Sequence, residues 1–124
     1  QNKLSHAIMQ NKEGQFVEPS AESFAAAAEG ADWSKSAFYE ILTNEPGAKS
    51  WPITSATFIL MHKTQDKPAQ AAEVLKFFDW AYANGGDMAL ELEYVPLPKA
   101  TVELIRASWG EMKDGAGNPV FSAK

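Results

Sequence analysis

Cysteine is absent from all 124 residues. Its absence removes thiolate metal sites, a cysteine nucleophile and any disulfide framework, and suits an oxidising compartment where unpaired thiols are a hazard. Positive charge is scarce: eleven basic residues, of which only Arg106 is arginine, stand against sixteen acidic ones, a formal charge of −5. A nucleic-acid module carries a basic patch, and none is visible. The acidic total still permits a small anionic ligand, because backbone N–H groups and a few hydroxyls can hold an anion locally. Apolar runs extend for only a few residues, so no transmembrane helix is expected. No glycine-rich loop opens a helix, which excludes a P-loop and a dinucleotide fingerprint, and HxxxH and GxSxG spacings are missing too. The histidines, His6 and His62, lack a neighbouring carboxylate or second ligand at metal spacing, which favours structural or surface roles.

The composition present, 45% apolar and 11% aromatic, belongs to a folded domain, and the length suits one. The chain opens QNKLSHAIM, with neither an initiating methionine nor a signal peptide, which reads as a removed leader or a piece of something longer. LSHAIM and QFV flank a turn at NKEG and suggest a small hairpin. Ser20 is a suitable N-cap for a helix over about 20–29, with Glu22 in its first turn and Gly30 as its stop. Residues 31–42 have no clean period, and a short helix is expected near their end. Asn44-Glu-Pro-Gly47 is a turn. Pro68 opens a long helix whose apolar positions Ala71, Val74, Leu75, Phe78, Ala81 and Tyr82 recur at helical spacing. Phe77 and Trp80 widen that stripe, so much of the helix should be covered. Gly85-Gly86 ends it. A further turn or two of helix is expected over 87–93, then a helix from near Pro98 with Val102, Ile105 and Trp109 in its stripe. Asp114 to Asn118 breaks that helix and leaves a tail anchored by Phe121.

Between these elements lies WPITSATFILMHK, residues 51–63. Pro52 pushes Trp51 into an extended conformation, and Ile53 to His62 read as a strand rich in β-branched and aromatic residues. Four apolar residues in a row, Phe58 to Met61, mark a strand buried on both faces, as in the parallel sheet of an α/β protein. The strands it should pair with are not convincingly present. Unpaired backbone groups in a dry place cost about 1–3 kcal/mol each. The sequence therefore anticipates a partner: more chain, another chain or a second copy.

Candidate chemistry is thin. Thr54, Ser55 and Thr57 could line a cleft at the start of the strand, although threonine on a strand is more often there for its β-branch. Phe77, Phe78, Trp80 and Tyr82 could form a stacking platform, but beside Val74 and Leu75 at helical spacing they read as packing. No nucleophile or general base stands out, and the residues alone leave the function undetermined.

SAESFAAAAEGADWSKS, WPITSATFILMHK, AAEVLKFFDWAY and Tyr94-x-x-Leu97-Pro98 with Val102, Ile105, Arg106 and Trp109, in that order and spacing, resemble the periplasmic phosphate-binding proteins of phosphate ABC transporters (the Pst type). The likeness covers almost the whole chain and points to the C-terminal segment of proteins more than twice as long. It implies an α/β architecture, the class II periplasmic binding protein fold: two lobes joined by a hinge and closing on one inorganic phosphate. Residues 1–48 would end the second lobe, and residues 49–124 would supply a hinge crossing and complete the first. The implied partners are inorganic phosphate, the N-terminal segment of the same protein and an ABC permease, with no nucleic acid. The implied location is periplasmic, or extracytoplasmic with a lipid anchor. The family's phosphate ligands, including a Ser-Gly-Thr turn with its arginine, have no counterpart here, and Arg106 sits mid-helix. No phosphate ligand, catalytic residue, metal or cofactor is therefore expected in this chain. Trp51 and Pro52 are expected at the hinge, with Thr54 and Ser55 at the cleft edge. A complementing fragment without ligand binding of its own, and a phosphate-handling enzyme on a related two-lobed fold, are the alternatives.

Overall fold

A computed structural model describes residues 4–35 and 38–121. The first half begins with a hairpin: β1 (Met9–Gln10) pairs antiparallel with β2 (Phe16–Val17), with Met9 opposite Val17 and Gln10 opposite Phe16. Gly14 closes the turn at φ 77°, a left-handed conformation that a side chain would oppose, and its N–H donates to the Asn11 carbonyl at 3.0 Å. Helix α1 (Ala21–Gly30) follows. Ser20 caps it as expected, through a reciprocal box with Ser23: the Ser23 N–H donates to Ser20 Oγ at 3.1 Å, and the Ser20 N–H donates to Ser23 Oγ at 2.9 Å. Ser23 replaces the usual glutamate of such a box and is buried, its hydroxyl donating on to the Glu18 carbonyl at 2.8 Å. The α1 face carrying Ala28 packs with Trp33 and Leu42 into a small core, and the Trp33 indole N–H donates to the Ala28 carbonyl at 2.7 Å. Residues 36 and 37 lie outside the described residues, and residues 39–42, at the end of the stretch where a short helix is expected, carry none.

The second half is a crossover. β3 (Thr64–Gln65) leads into α2 (Pro68–Asn84), α3 (Gly86–Glu91) and α4 (Lys99–Ser108), then a 3₁₀ turn over Trp109–Glu111 and β4 (Lys113–Asp114). β3 and β4 pair in parallel, Thr64 with Lys113 and Gln65 with Asp114. Parallel neighbours need a long connection, and the three helices provide it. This pairing escapes the sequence reading, because two-residue strands carry no period. Asp114 to Asn118 is more than a break. Asp114 Oδ1 accepts from the N–H groups of Ala116 and Asn118 at 2.9 and 2.8 Å, and the chain folds back so that Val120 N–H donates to the Met112 carbonyl at 3.0 Å. As far as residue 121 the expected tail is thus a small hairpin, and its expected anchor Phe121 stands edge-on against Trp109 at 5.4 Å.

Leu75 of α2, Val102 of α4 and Trp109 of the 3₁₀ turn are buried, and one ion pair joins α2 to α4. Arg106 Nε donates to Asp79 Oδ1 at 2.7 Å, and a second guanidinium nitrogen donates to the Asp79 carbonyl at 3.2 Å. Tyr82 stacks on Trp109 at 6.3 Å, and its partial burial raises the phenol pKa above its ordinary value. The outer side of α2 departs from expectation. Phe77 is 58% exposed and Trp80 51%, so nothing among the described residues covers the widened stripe.

Residues 53–62 differ most from the reading as a doubly buried strand. Their one pairing among the described residues is an antiparallel bridge between Ile53 and Thr43. Phe58 and Ile59 are exposed, and Leu60 is 92% so. The physical reason is the anticipated one: no described backbone lies alongside to accept a ladder, so the apolar ribbon cannot be enclosed.

Candidate functional site

The residues singled out from the sequence lie together on the segment that joins the two halves. Trp51 is buried, its N–H donating to the Ser23 carbonyl at 3.0 Å and its ring meeting Phe24 edge-on at 6.3 Å. The Pro52 carbonyl accepts from Asn44 N–H at 2.9 Å. Asn44 reaches this position from the left-handed region, at φ 57°, which asparagine tolerates better than most residues. Thr54 Oγ1 donates back to the Trp51 carbonyl at 3.1 Å.

Beyond Trp51 and Pro52 the segment floors a groove of about 560 Å³. Thr54, Ser55 and Thr57 lie along the floor. Phe24 and Ala28 of α1 contribute one wall, and Phe78 and Tyr82 of α2 the other, with Tyr94 and Pro96 at the end. Three hydroxyl residues therefore border it, and the Thr54 hydroxyl is already engaged with the Trp51 carbonyl. No lysine, arginine or histidine belongs to the lining, and Glu93 supplies a carboxylate. An anion placed here would face apolar walls and a negative charge, a costly arrangement. The one arginine is engaged with Asp79 between α2 and α4. His6 and His62 are exposed. Among the described residues no group of three His, Cys, Asp or Glu could hold a metal ion, and no helix is long and apolar enough to cross a membrane. The lining of the groove is mostly apolar.

Asn11 is the residue the sequence reading passed over. It was part of a turn motif, and nothing in NKEG reveals that its side chain would be buried. Its amide nitrogen donates to the carbonyls of Gly47, Ala48 and Ser50 at 3.1, 2.9 and 3.3 Å. Its side-chain oxygen accepts from the N–H groups of Glu13 and Gln15 at 3.1 and 2.9 Å. One carboxamide thus ties the first hairpin to the segment entering the groove. Beside it, Ser50 is fully buried and donates from Oγ to the Pro46 carbonyl at 2.8 Å, while Lys49 pairs with Glu22 on the surface at 2.5 Å.

An apolar ribbon left open and an uncovered helix face are surfaces of an α/β chain that further polypeptide would cover. No protein-family model matches the chain. It is 50% identical over 98% of its length to Phosphate-binding protein PstS of Pasteurella multocida, of which it covers 36%. It is 53% identical over 88% of its length to the protein of the same name in Haemophilus influenzae, covering 33% of it. It is 51% identical over 88% of its length to that of Xylella fastidiosa, covering 30%. The chain therefore spans about a third of the length of the curated relatives it matches. Identity of this order across nearly every residue means common descent: the chain is homologous to a C-terminal part of the proteins named PstS.

Proposed function

We propose that this chain is the C-terminal part of a class II periplasmic binding protein, a two-lobed receptor that captures inorganic phosphate outside the cytoplasm and delivers it to an ABC importer. The observation that carries this reading is identity of 50–53% with proteins named for phosphate binding, sustained over 88–98% of the chain. In this reading residues 1–48 end the second lobe, residues 49–53 begin a hinge crossing, and the remainder completes the first lobe. The phosphate ligands come from sequence outside these residues. A groove lined without a cation, and an arginine already paired with a carboxylate, support that assignment. Thr54 and Ser55 stand at the edge of the cleft, and Trp51 and Pro52 lead into the crossing.

The open ribbon and the bare face of α2 fit the same reading. A buried anion site made of dipoles and hydrogen bonds needs a dry, closed cleft, which a third of a receptor cannot enclose. The partner of this chain is then the N-terminal segment of its own protein, which supplies the missing sheet neighbours. Calorimetry with inorganic phosphate tests the reading in three arms: this chain alone, the N-terminal remainder alone, and the two mixed. Heat of binding is expected only from the mixture or the complete receptor. Binding by this chain alone would overturn the placement of the ligands elsewhere. A complete receptor that ignores phosphate would overturn the function, and turnover of a phosphoester would replace it with an enzyme.

A further inference from the structure

The joining segment stays fastened to the first half of the chain for longer than Trp51-Pro52 suggests. Asn11 holds the carbonyls of residues 47, 48 and 50. The Trp51 N–H is held by Ser23, the Pro52 carbonyl by Asn44, and Ile53 by its bridge to Thr43. Ala56 still packs against the cluster of Ala28, Trp33 and Leu42. From Thr57 to Met61 the backbone makes no hydrogen bond to another described residue, and the His62 carbonyl accepts from the Gln65 side-chain amide. The next fixed point is Lys63, whose carbonyl accepts from Lys113 N–H at 2.8 Å and whose ammonium pairs with Glu111 at 2.7 Å. The free stretch therefore begins after Ala56.

We propose, resting on the two-lobed reading above, that lobe closure turns the backbone at Thr57–Phe58, and that Asn11 is a positioning residue that makes residues 47–56 move as one body with the first half. A hinge is a short stretch that absorbs dihedral change between rigid neighbours. Trp51-Pro52 is poorly suited to that work. The proline ring fixes φ at Pro52, and the same ring restricts the residue before it. A rotation there would also pull Trp51 from Ser23 and Phe24 and strand the buried carbonyls that Asn11 satisfies. Thr57 and Phe58 carry none of these ties. The apolar run from Phe58 to Met61 belongs to the ribbon that a sheet must claim, which bounds the pivot on its far side.

Distances between spin labels in the complete receptor, with and without inorganic phosphate, test this. The chain has no cysteine, so introduced thiols within it are labelled at chosen sites. Glu29→Cys with Ser55→Cys spans the joint ahead of the pivot, and Glu29→Cys with Lys76→Cys spans the pivot itself; all three positions are exposed. Phosphate is expected to leave the 29–55 distance unchanged and to shift the 29–76 distance by several ångströms. Adding Asn11→Ala is expected to broaden the 29–55 distribution and make it respond to phosphate; a lowered Tm with that distribution still narrow would remove the positioning role. Equal shifts in both pairs would place the pivot before Ser55 and overturn the proposal. So would no shift in either pair while calorimetry registers bound phosphate, an outcome that leaves the receptor reading intact. No bound phosphate at all overturns the receptor reading, and the proposal falls with it.

Discussion

Asn11 shows how much one side chain can organise when it is buried with every polar atom used. Truncation to alanine would leave three carbonyls and two N–H groups without this partner. Each stranded buried group costs about 1–3 kcal/mol, and such losses overlap rather than add, so Asn11→Ala is expected to cost about 3 kcal/mol in urea denaturation. Asn11→Asp is the sharper experiment. It keeps the acceptor for Glu13 and Gln15 but turns a carboxylate oxygen toward three carbonyls, so the isosteric change is expected to be at least as damaging as alanine. Gly30 sits under a different constraint. A Cβ there would lie 2.4 Å from the Pro46 carbonyl oxygen, a backbone atom that cannot swing aside. Alanine would gain about 1 kcal/mol in helix propensity, but overpacking costs about 1–3 kcal/mol. Gly30→Ala is therefore expected to destabilise, contrary to the usual rule for a helical glycine. Asp32 offers a test by pH. Its carboxyl is held down to about 2, first by the Lys35 ammonium and then by the Ser34 hydroxyl. A depressed carboxylate stabilises the fold above its unfolded pKa and loses that contribution as the pH falls, here between about 4 and about 2. Carbon-13 titration of the Asp32 carboxyl should show its midpoint near the lower value, and the pair is exposed enough that the effect on stability will be small.

Helices were far more legible in the sequence than strands, for a physical reason that particular elements make plain. α1, α2 and α4 begin and end close to where Ser20, Gly30, Pro68 and Pro98 place them, because caps and prolines act within a few residues of themselves. β3 and β4 are paired across the whole crossover, a relation that Thr64 and Lys113 cannot announce locally. The groove was half legible: Thr54 and Ser55 line it, but the walls from Phe24 and Tyr94 come from elements whose approach is tertiary. Arg106 was noted as mid-helix, and the structure gives it work as the clasp between α4 and α2. The guanidinium reaches the carboxylate and the carbonyl of Asp79 at once, a fork that lysine cannot reproduce. Arg106→Lys is expected to show much of the destabilisation of Arg106→Ala, about 1 kcal/mol for a half-exposed pair, read as a fall in the denaturant midpoint with an unchanged m-value.

The whole molecule is organised around surfaces it does not cover. Leu60, Phe77 and Trp80 are large apolar side chains more than half exposed, and they lie on the ribbon and helix that the family reading assigns to one lobe. A strand with free edges and apolar faces is a template for pairing with whatever backbone is nearest. If that backbone is the N-terminal segment, two consequences follow in opposite directions. Alone, the chain should bind 8-anilinonaphthalene-sulfonate and associate with itself as concentration rises. Mixed with the N-terminal segment, it should lose the dye signal and become a one-to-one complex by sedimentation. Leu60→Lys separates specific pairing from general stickiness. On the free chain the charge should reduce self-association, because a lysine on an open edge discourages strand addition. In the complex the same lysine must enter a dry sheet, at a cost far above that of a surface substitution. Leu60→Lys is therefore expected to make the isolated chain more soluble and the complex weaker, as read by sedimentation. A variant that complements as well as the parent sequence would mean that Leu60 never becomes buried and that the open ribbon is not the seam along which this protein is assembled.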